Sequence, residues 1–134
     1  MIAGVRDHGV DLRRIPACIY CQPEVAWIGL GEAEAKAQGI DVQVGRVPFR
    51  AIGKAVAVGA TDGFVKLVAD RRYGEVIGAA IIGRGATELI AEVGLGMTLE
   101  TTVAEIGGMP HAHPTLSEAL MEAALAAQGE SINF

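Results

Sequence analysis

Residues 41–49 and parts of residues 63–69 alternate between apolar and polar positions, and this pattern predicts β-strands. Side chains at every second position of a strand face the same way, so one face of each strand can cover a core. Residues 76–82 are uncharged and include several β-branched side chains without alternation, which is typical of a buried strand. The predicted strands lie near residues 17–22, 41–49, 63–70 and 75–83.

Beyond Gly83 the period of the apolar residues changes to that of an α-helix. Apolar side chains recur at helical intervals in residues 87–99 and again in residues 116–127, which are followed by Gly129, a residue type common at helix ends. Between these segments, Thr102-x-x-Glu105 has the spacing of a capping box at a helix start. The predicted helices lie near residues 31–38, 86–99 and 115–127.

The order of these elements indicates the fold class. Residues 70–74 have the composition of a hairpin turn, so the two strands that flank them should pair antiparallel. Strands come first along the chain and the longer helices follow. We therefore predict an α+β fold with a mostly antiparallel sheet and helices packed on one side.

The length and composition predict one domain that has a partner. A chain of 134 residues has the size of a single domain. Residues 1–14 mix charges with glycines and show no apolar period, so we interpret them as a connector and residues 15–134 as the domain. Apolar residues make up 51% of the chain, which suggests that part of the surface is covered by other domains or by a second copy in a homodimer.

The charge pattern excludes some classes of partner. A net charge of −5 without a basic run argues against binding to nucleic acid. No stretch of roughly 18 uncharged apolar residues occurs, so we expect no membrane span. The first residues lack the apolar region and cleavage site of a secretory signal, and we therefore expect a cytoplasmic protein.

Candidate chemistry lies in the segment MPHAHPTLSE, residues 109–118. A residue that precedes a proline is kept out of the helical region, so the loop carrying His111 and His113 should be stiff, as a positioned base requires. Imidazole titrates near neutral pH, and Glu118 is the carboxylate within reach of His113. Two plainer interpretations stay open: Thr115-x-x-Glu118 is also a capping box, and the histidines could simply bond to loop backbone groups.

Cys18 and Cys21 allow three interpretations. Together with His111 and His113 they could bind zinc, although structural zinc sites favour three to five residues between paired histidines. They could also be a redox pair, but such pairs open a helix, whereas these lie in a predicted strand where residues three apart point to opposite faces. The spacing therefore favours two unpaired thiols and no metal site.

The string HAHPTLSE at residues 111–118 resembles the C-terminal signature of the flavin-dependent pyridine nucleotide-disulfide oxidoreductases. Its full form is typical of the dihydrolipoamide dehydrogenases within that family, and glutathione and mercuric reductases are related alternatives. The resemblance runs through most of the chain, with further matches at residues 15–16, 23–29, 50–54, 77–83, 86–92 and 131–134.

The resemblance implies that this is the C-terminal interface domain of such an enzyme. It makes His113 the base that takes a proton from a dihydrolipoamide thiol, Glu118 the group that orients its ring, and His111 a candidate contact to the flavin region through its backbone. It also implies a cis peptide bond between His113 and Pro114. In the implied homodimer, His113 projects toward the flavin and disulfide of the partner subunit. A chemically silent dimerisation module is the competing hypothesis.

The same resemblance implies cofactors that this sequence has no motifs to bind. The full enzyme would use FAD and NAD and would serve the components of a 2-oxo acid dehydrogenase complex. The glycine fingerprints for both cofactors and the Cys-x-x-x-x-Cys motif are not in this sequence, and Gly29-x-Gly31 and Gly83-x-Gly85 are too incomplete to replace them. We therefore expect no cofactor and no activity in this chain alone.

Overall fold

One antiparallel sheet organises the computed structural model, which describes residues 9–132. Its strands in the described residues are β1 Ala17–Ile19, β2 Val25–Gly29, β3 Val42–Pro48, β4 Phe64–Asp70 and β5 Val76–Ile82. Their spatial order is β1-β2-β5-β4-β3, and each neighbouring pair runs antiparallel. The α+β prediction with an antiparallel sheet is confirmed.

The helices follow the predicted pattern and add two short ones. Within residues 9–132 they are α1 Glu32–Ala37, α2 Gly53–Ala57, α3 Ala86–Thr98, α4 Val103–Gly108 and α5 Glu118–Gln128. The predicted capping box opens α4, because Glu105 accepts a hydrogen bond from the backbone N–H of Thr102, whose hydroxyl oxygen accepts one from that of Ala104. None of these helices is long and apolar enough to cross a membrane.

The main core lies between one face of the sheet and the longer helices α3 and α5. Leu67 of β4 is fully buried there, and burial of such a side chain contributes about 1.5–3 kcal/mol. Val68 is the next residue of the strand and faces the other way, where it contacts Ala35 of the short helix α1 in a second, smaller cluster. Further members of the main core are Ile28, Val65, Ile81, Ile90, Val93 and Leu120.

Two strand predictions need correction. The strand predicted at residues 17–22 ends at Ile19, because the chain reverses there and Ile19 pairs with Val25 across the turn. Strand β2 was missed because its five residues are apolar or glycine, so the alternation between its buried and exposed faces cannot be seen in residue type.

The ends of the chain and of the last helix also differ from the prediction. Helix α5 begins at Glu118 and not at residue 115, because the N–H groups of Ala119 and Leu120 bond to carbonyls three residues earlier and make a tighter turn before the helix. Of the predicted connector, residues 9–14 include a 3-10 helix at Leu12–Arg14. Its residues 1–8, and the last two residues of the terminal match at 131–134, lie outside the described range.

A glutamate that is distant in sequence caps helix α3. The backbone N–H and hydroxyl of Thr87 both donate to Oε2 of Glu24, at 3.0 and 2.7 Å. These bonds hold the pKa of Glu24 below its ordinary value of 4.5. The cap joins the turn between β1 and β2 to the start of α3, the helix whose other residues reach the candidate site.

We expect Glu24→Ala to lower the free energy of unfolding by about 0.5–2 kcal/mol, the usual cost of losing a helix cap. Since folding lowers the Glu24 pKa, its contribution is present above pH 4.5 and is lost as the pH falls through the folded-state value. Urea unfolding at pH 7 and again below pH 4.5 should therefore show a smaller difference from wild type at the lower pH. Glu88→Ala in the first turn of the same helix is the control; an equal loss in both variants would contradict the cap.

Candidate active site

The loop between α4 and α5 carries both candidate histidines. Pro110 and Pro114 have no N–H to donate, and within the described range residues 110–114 make no hydrogen bond between backbone groups. The loop is held instead by side chains, including the Thr115 hydroxyl, which donates to the carbonyl of Ala112 at 2.6 Å. The peptide bond between His113 and Pro114 is cis, as the resemblance implied.

His113 and Glu118 lie side by side at the start of α5. The distance between His113 Nδ1 and Glu118 Oε1 is 2.8 Å. The second carboxylate oxygen, Oε2, accepts the backbone N–H of Thr115, also at 2.8 Å. Both interpretations of Glu118 therefore apply. Its Oε2 makes one of the two hydrogen bonds of the capping box, and its Oε1 contacts the imidazole. The Thr115 hydroxyl does not complete the box: its partners among the described residues are the Ala112 carbonyl and the Ser117 hydroxyl, and neither is a backbone N–H of the helix.

The surroundings of Glu118 favour its charged form. The Thr115 N–H does most to lower the pKa of Glu118 below its ordinary value, and His113 and then His111 lower it further. Partial burial acts in the opposite direction and is outweighed. Glu118 is therefore an ionised acceptor at neutral pH, and a carboxylate in that state has no proton to donate.

The ionised carboxylate selects one tautomer of His113. Since Glu118 only accepts, Nδ1 of His113 must carry the proton that lies between them. In the neutral ring the lone pair is then on Nε2. The His113 side chain is 78% exposed, against 18% for Glu118, so this basic nitrogen faces outward from the domain. Chemically, an imidazole held in this way can accept a proton at Nε2 from a ligand outside this domain.

His111 has the opposite environment. Its side chain is only 3% exposed, and its two ring nitrogens each have a partner. Nδ1 lies 2.9 Å from the carbonyl oxygen of Met109, and Nε2 lies 2.9 Å from Oε1 of Glu92 on α3. The ring is therefore engaged inside the domain, and the implied contact to the flavin region, which would be made through the backbone of His111, stays a prediction.

Glu92 is a site residue that the sequence reasoning missed. It lies within the predicted helix at residues 86–99, and no spacing rule links it to a histidine 19 residues later. One signal was present: Glu92 lies at the edge of the apolar stripe formed by Leu89, Ile90 and Val93. A charged residue at such a position usually has a partner.

The cysteines stand apart from this site. Both are free thiols, Cys18 partly buried and Cys21 exposed, as the spacing favoured. Cys21 lies beyond the end of β1, and its sulfur donates to the carbonyl of Pro23 at 2.9 Å. Among residues 9–132 no three His, Cys, Asp or Glu side chains are grouped to hold a metal ion, so the zinc interpretation has no support.

The described fold does not fit a dinucleotide cofactor. FAD and NAD sites of the implied kind need a parallel βαβ unit with a glycine-rich turn at the helix start. Every strand pair described above is antiparallel.

Known proteins share both the sequence and the fold of this chain. Residues 15–124 match the family model described as "Pyridine nucleotide-disulphide oxidoreductase, dimerisation domain". The chain is 51% identical over 132 residues to dihydrolipoyl dehydrogenase of Bacillus subtilis, covering 98% of this chain and 28% of that protein. It is 44% identical over 134 residues to the mitochondrial dihydrolipoyl dehydrogenase of Bos taurus, covering 99% of this chain and 26% of that protein.

Solved structures of flavoprotein disulfide reductases and related proteins share the fold of this chain. LpdA from Mycobacterium tuberculosis is similar with a TM-score of 0.81 at 29% identity, over 86% of this chain and 25% of that one. The HOCl-induced flavoprotein disulfide reductase RclA from Escherichia coli is similar with a TM-score of 0.79 at 25% identity, over 82% of this chain and 25% of that one. The chain spans about a quarter of the length of these relatives, and it belongs to the dimerisation-domain family of the pyridine nucleotide-disulphide oxidoreductases.

Proposed function

We propose that this chain is the interface domain of a dihydrolipoamide dehydrogenase and supplies its acid–base pair, His113 and Glu118. The observation that carries the proposal is the chain of contacts from the Thr115 N–H through Glu118 to Nδ1 of His113, which leaves Nε2 exposed. A base in this position takes the proton of a dihydrolipoamide thiol. A thiol with a pKa near 8.5 is mostly protonated at neutral pH, and only its thiolate attacks a disulfide.

In the proposed step, the S–H proton of dihydrolipoamide passes to Nε2 of His113. The new thiolate attacks one sulfur of a redox disulfide held by another part of the enzyme, and the second sulfur of that disulfide leaves with the electron pair of the broken S–S bond. Glu118 stabilises the imidazolium that forms, because its carboxylate already faces Nδ1. FAD and NAD in the full-length enzyme would accept the electrons.

The whole enzyme is proposed to be a homodimer that serves a 2-oxo acid dehydrogenase complex. The face of the sheet opposite the main core supports an interface, because it leaves the apolar side chains of Ile19 and Trp27 exposed. The free thiols of Cys18 and Cys21 fit a reducing compartment such as the cytoplasm. Without its flavin and disulfide partners, this chain alone would be inactive.

Two other functions are less well supported. A chemically silent dimerisation module would have no use for an exposed imidazole held by an ionised carboxylate, and a buried ring bonded only to backbone would have favoured it. A related glutathione or mercuric reductase would use the same pair. The curated relatives named here favour lipoamide, since both are dihydrolipoyl dehydrogenases.

A subunit-exchange experiment tests whether the base serves the partner subunit. One inactive full-length variant lacks the redox cysteines, and the other carries His113→Gln. If each site combines His113 of one subunit with the disulfide of the other, a mixed dimer has one intact site and one doubly defective site. An equal mixture should then recover about a quarter of wild-type turnover, since half of the dimers are mixed and each has one of two sites.

The controls are each variant exchanged with itself, and native mass spectrometry to verify that mixed dimers form. If mixed dimers are present and the mixture stays inactive, His113 serves its own chain or has no catalytic role.

A further inference from the structure

The loop that carries His113 has one polar attachment to α3. Residues 110–114 lack hydrogen bonds between backbone groups within the described range, and the Thr115 and Glu118 bonds stay within the loop and the first residue of α5. The contact between His111 Nε2 and Glu92 Oε1, at 2.9 Å, reaches a different helix. Because α3 packs on the sheet through its buried residues, this contact fixes the loop to the body of the domain.

The protonation of this pair follows from its partners. The Met109 carbonyl can only accept, so Nδ1 of His111 carries a proton. One further proton lies between Nε2 and Glu92, either on the ring, giving an imidazolium and a carboxylate, or on the acid, giving two neutral groups. In both forms the ring is held at both nitrogens and cannot rotate without breaking a hydrogen bond. A side chain that is 3% exposed has no water to replace the lost partner.

We propose that His111 and Glu92 are positioning residues, which hold the loop on α3 and thereby set where Nε2 of His113 meets the substrate thiol. This inference rests on the function proposed for His113. His111 is two residues from the base, so a displacement of its ring moves His113 directly. The charged neighbours of His111 are Glu92 from α3 and, through space, Glu118 from α5. His111 helps to lower the pKa of Glu118, although Thr115 and His113 lower it more.

The test uses the full-length flavoenzyme with Glu92→Ala, Glu92→Gln, His113→Gln and, as a matched control, Glu88→Ala at an exposed position one turn earlier on α3. A base misplaced by about 1 Å can cost up to about 100-fold in rate, so we expect Glu92→Ala to lower kcat for dihydrolipoamide by about 10- to 100-fold. KM should stay within about threefold, because no substrate contact is removed. Glu88→Ala should match wild type.

Glu92→Gln should recover most of the lost rate, because its amide can still donate to Nε2 of a neutral His111 ring. A variant that was only less stable would not show a lower kcat at unchanged KM. Its kcat per bound flavin would already equal the wild-type value, so Glu92→Gln would have nothing to restore. If Glu92→Ala does not yield folded flavoenzyme, Glu92→Asp takes its place; it withdraws the carboxylate by one methylene and should lower kcat at unchanged flavin content.

Failure of the positioning role and failure of the proposed function would give different results. The positioning role is overturned if Glu92→Ala, or Glu92→Asp in its place, keeps the wild-type kcat or loses activity only in proportion to its bound flavin. If His113→Gln is inactive in the same experiment, the proposed function still stands. A His113→Gln enzyme with wild-type turnover overturns the proposed function itself, and the positioning role with it.

Discussion

We expect His113→Gln in the full-length enzyme to lower the rate of dihydrolipoamide oxidation by about 10²–10⁴-fold, the usual cost of losing a general base. Glutamine keeps a hydrogen-bonding side chain of similar reach, so its amide can still contact Glu118. It has no nitrogen that takes up a proton at neutral pH. The loss should therefore appear in kcat, measured as anaerobic reduction of the enzyme by dihydrolipoamide in a stopped-flow instrument.

Two comparisons make this result specific. Reduction of the enzyme's flavin by NADH transfers a hydride and needs no thiol base, so it should keep its wild-type rate in His113→Gln. Glu118→Gln should cost less than His113→Gln, because it removes the charge that selects the tautomer of His113 but leaves the base itself in place. Equal losses in both reactions of His113→Gln would point to a damaged fold, and an unchanged dihydrolipoamide rate would exclude His113 as the base.

The sequence predicted the site pair because its members are close along the chain. His113 and Glu118 are five residues apart beside a proline and a helix start, so local geometry is enough to bring them together. The long strands and helices could also be predicted from the sequence, since each shows a period of two or 3.6 residues over its own length. Strand β2 could not be predicted, because it is apolar on both faces and shows no such period.

Contacts between distant segments could not be read in the same way. Glu24 caps α3 from 63 residues away along the sequence. Glu92 of α3 contacts His111, which lies 19 residues later and beyond the whole of α4. Each pairing depends on how the helices lie on the sheet, which residue types alone do not determine. Gly45 lies inside the predicted strand at residues 41–49, and an interior glycine is often a site of close backbone approach, but the residue type does not say which element approaches.

That element is α5, and it leaves no room for a side chain at Gly45 of β3. A Cβ atom on Gly45 would lie 1.8 Å from the carbonyl oxygen of Ala123 and 2.6 Å from the backbone nitrogen of Ala127. These are backbone atoms of a helix and cannot turn aside as a flexible side chain can. Because α5 begins at Glu118, any shift of the helix away from β3 also moves the partner of His113.

Gly45→Ala should therefore lower the free energy of unfolding by about 3 kcal/mol or more, the upper end of the range for overpacking a core. Gly53→Ala is the matched control, since a Cβ there meets nothing within 4 Å and the change should be neutral or stabilise by about 0.4–1 kcal/mol. Urea unfolding of both variants compares these energies. In the full-length enzyme, Gly45→Ala should also lower kcat per folded flavoenzyme, because the carboxylate that orients His113 moves with α5. Equal unfolding midpoints for the two variants would show that α5 can shift without cost and that the contact with β3 does not fix the site.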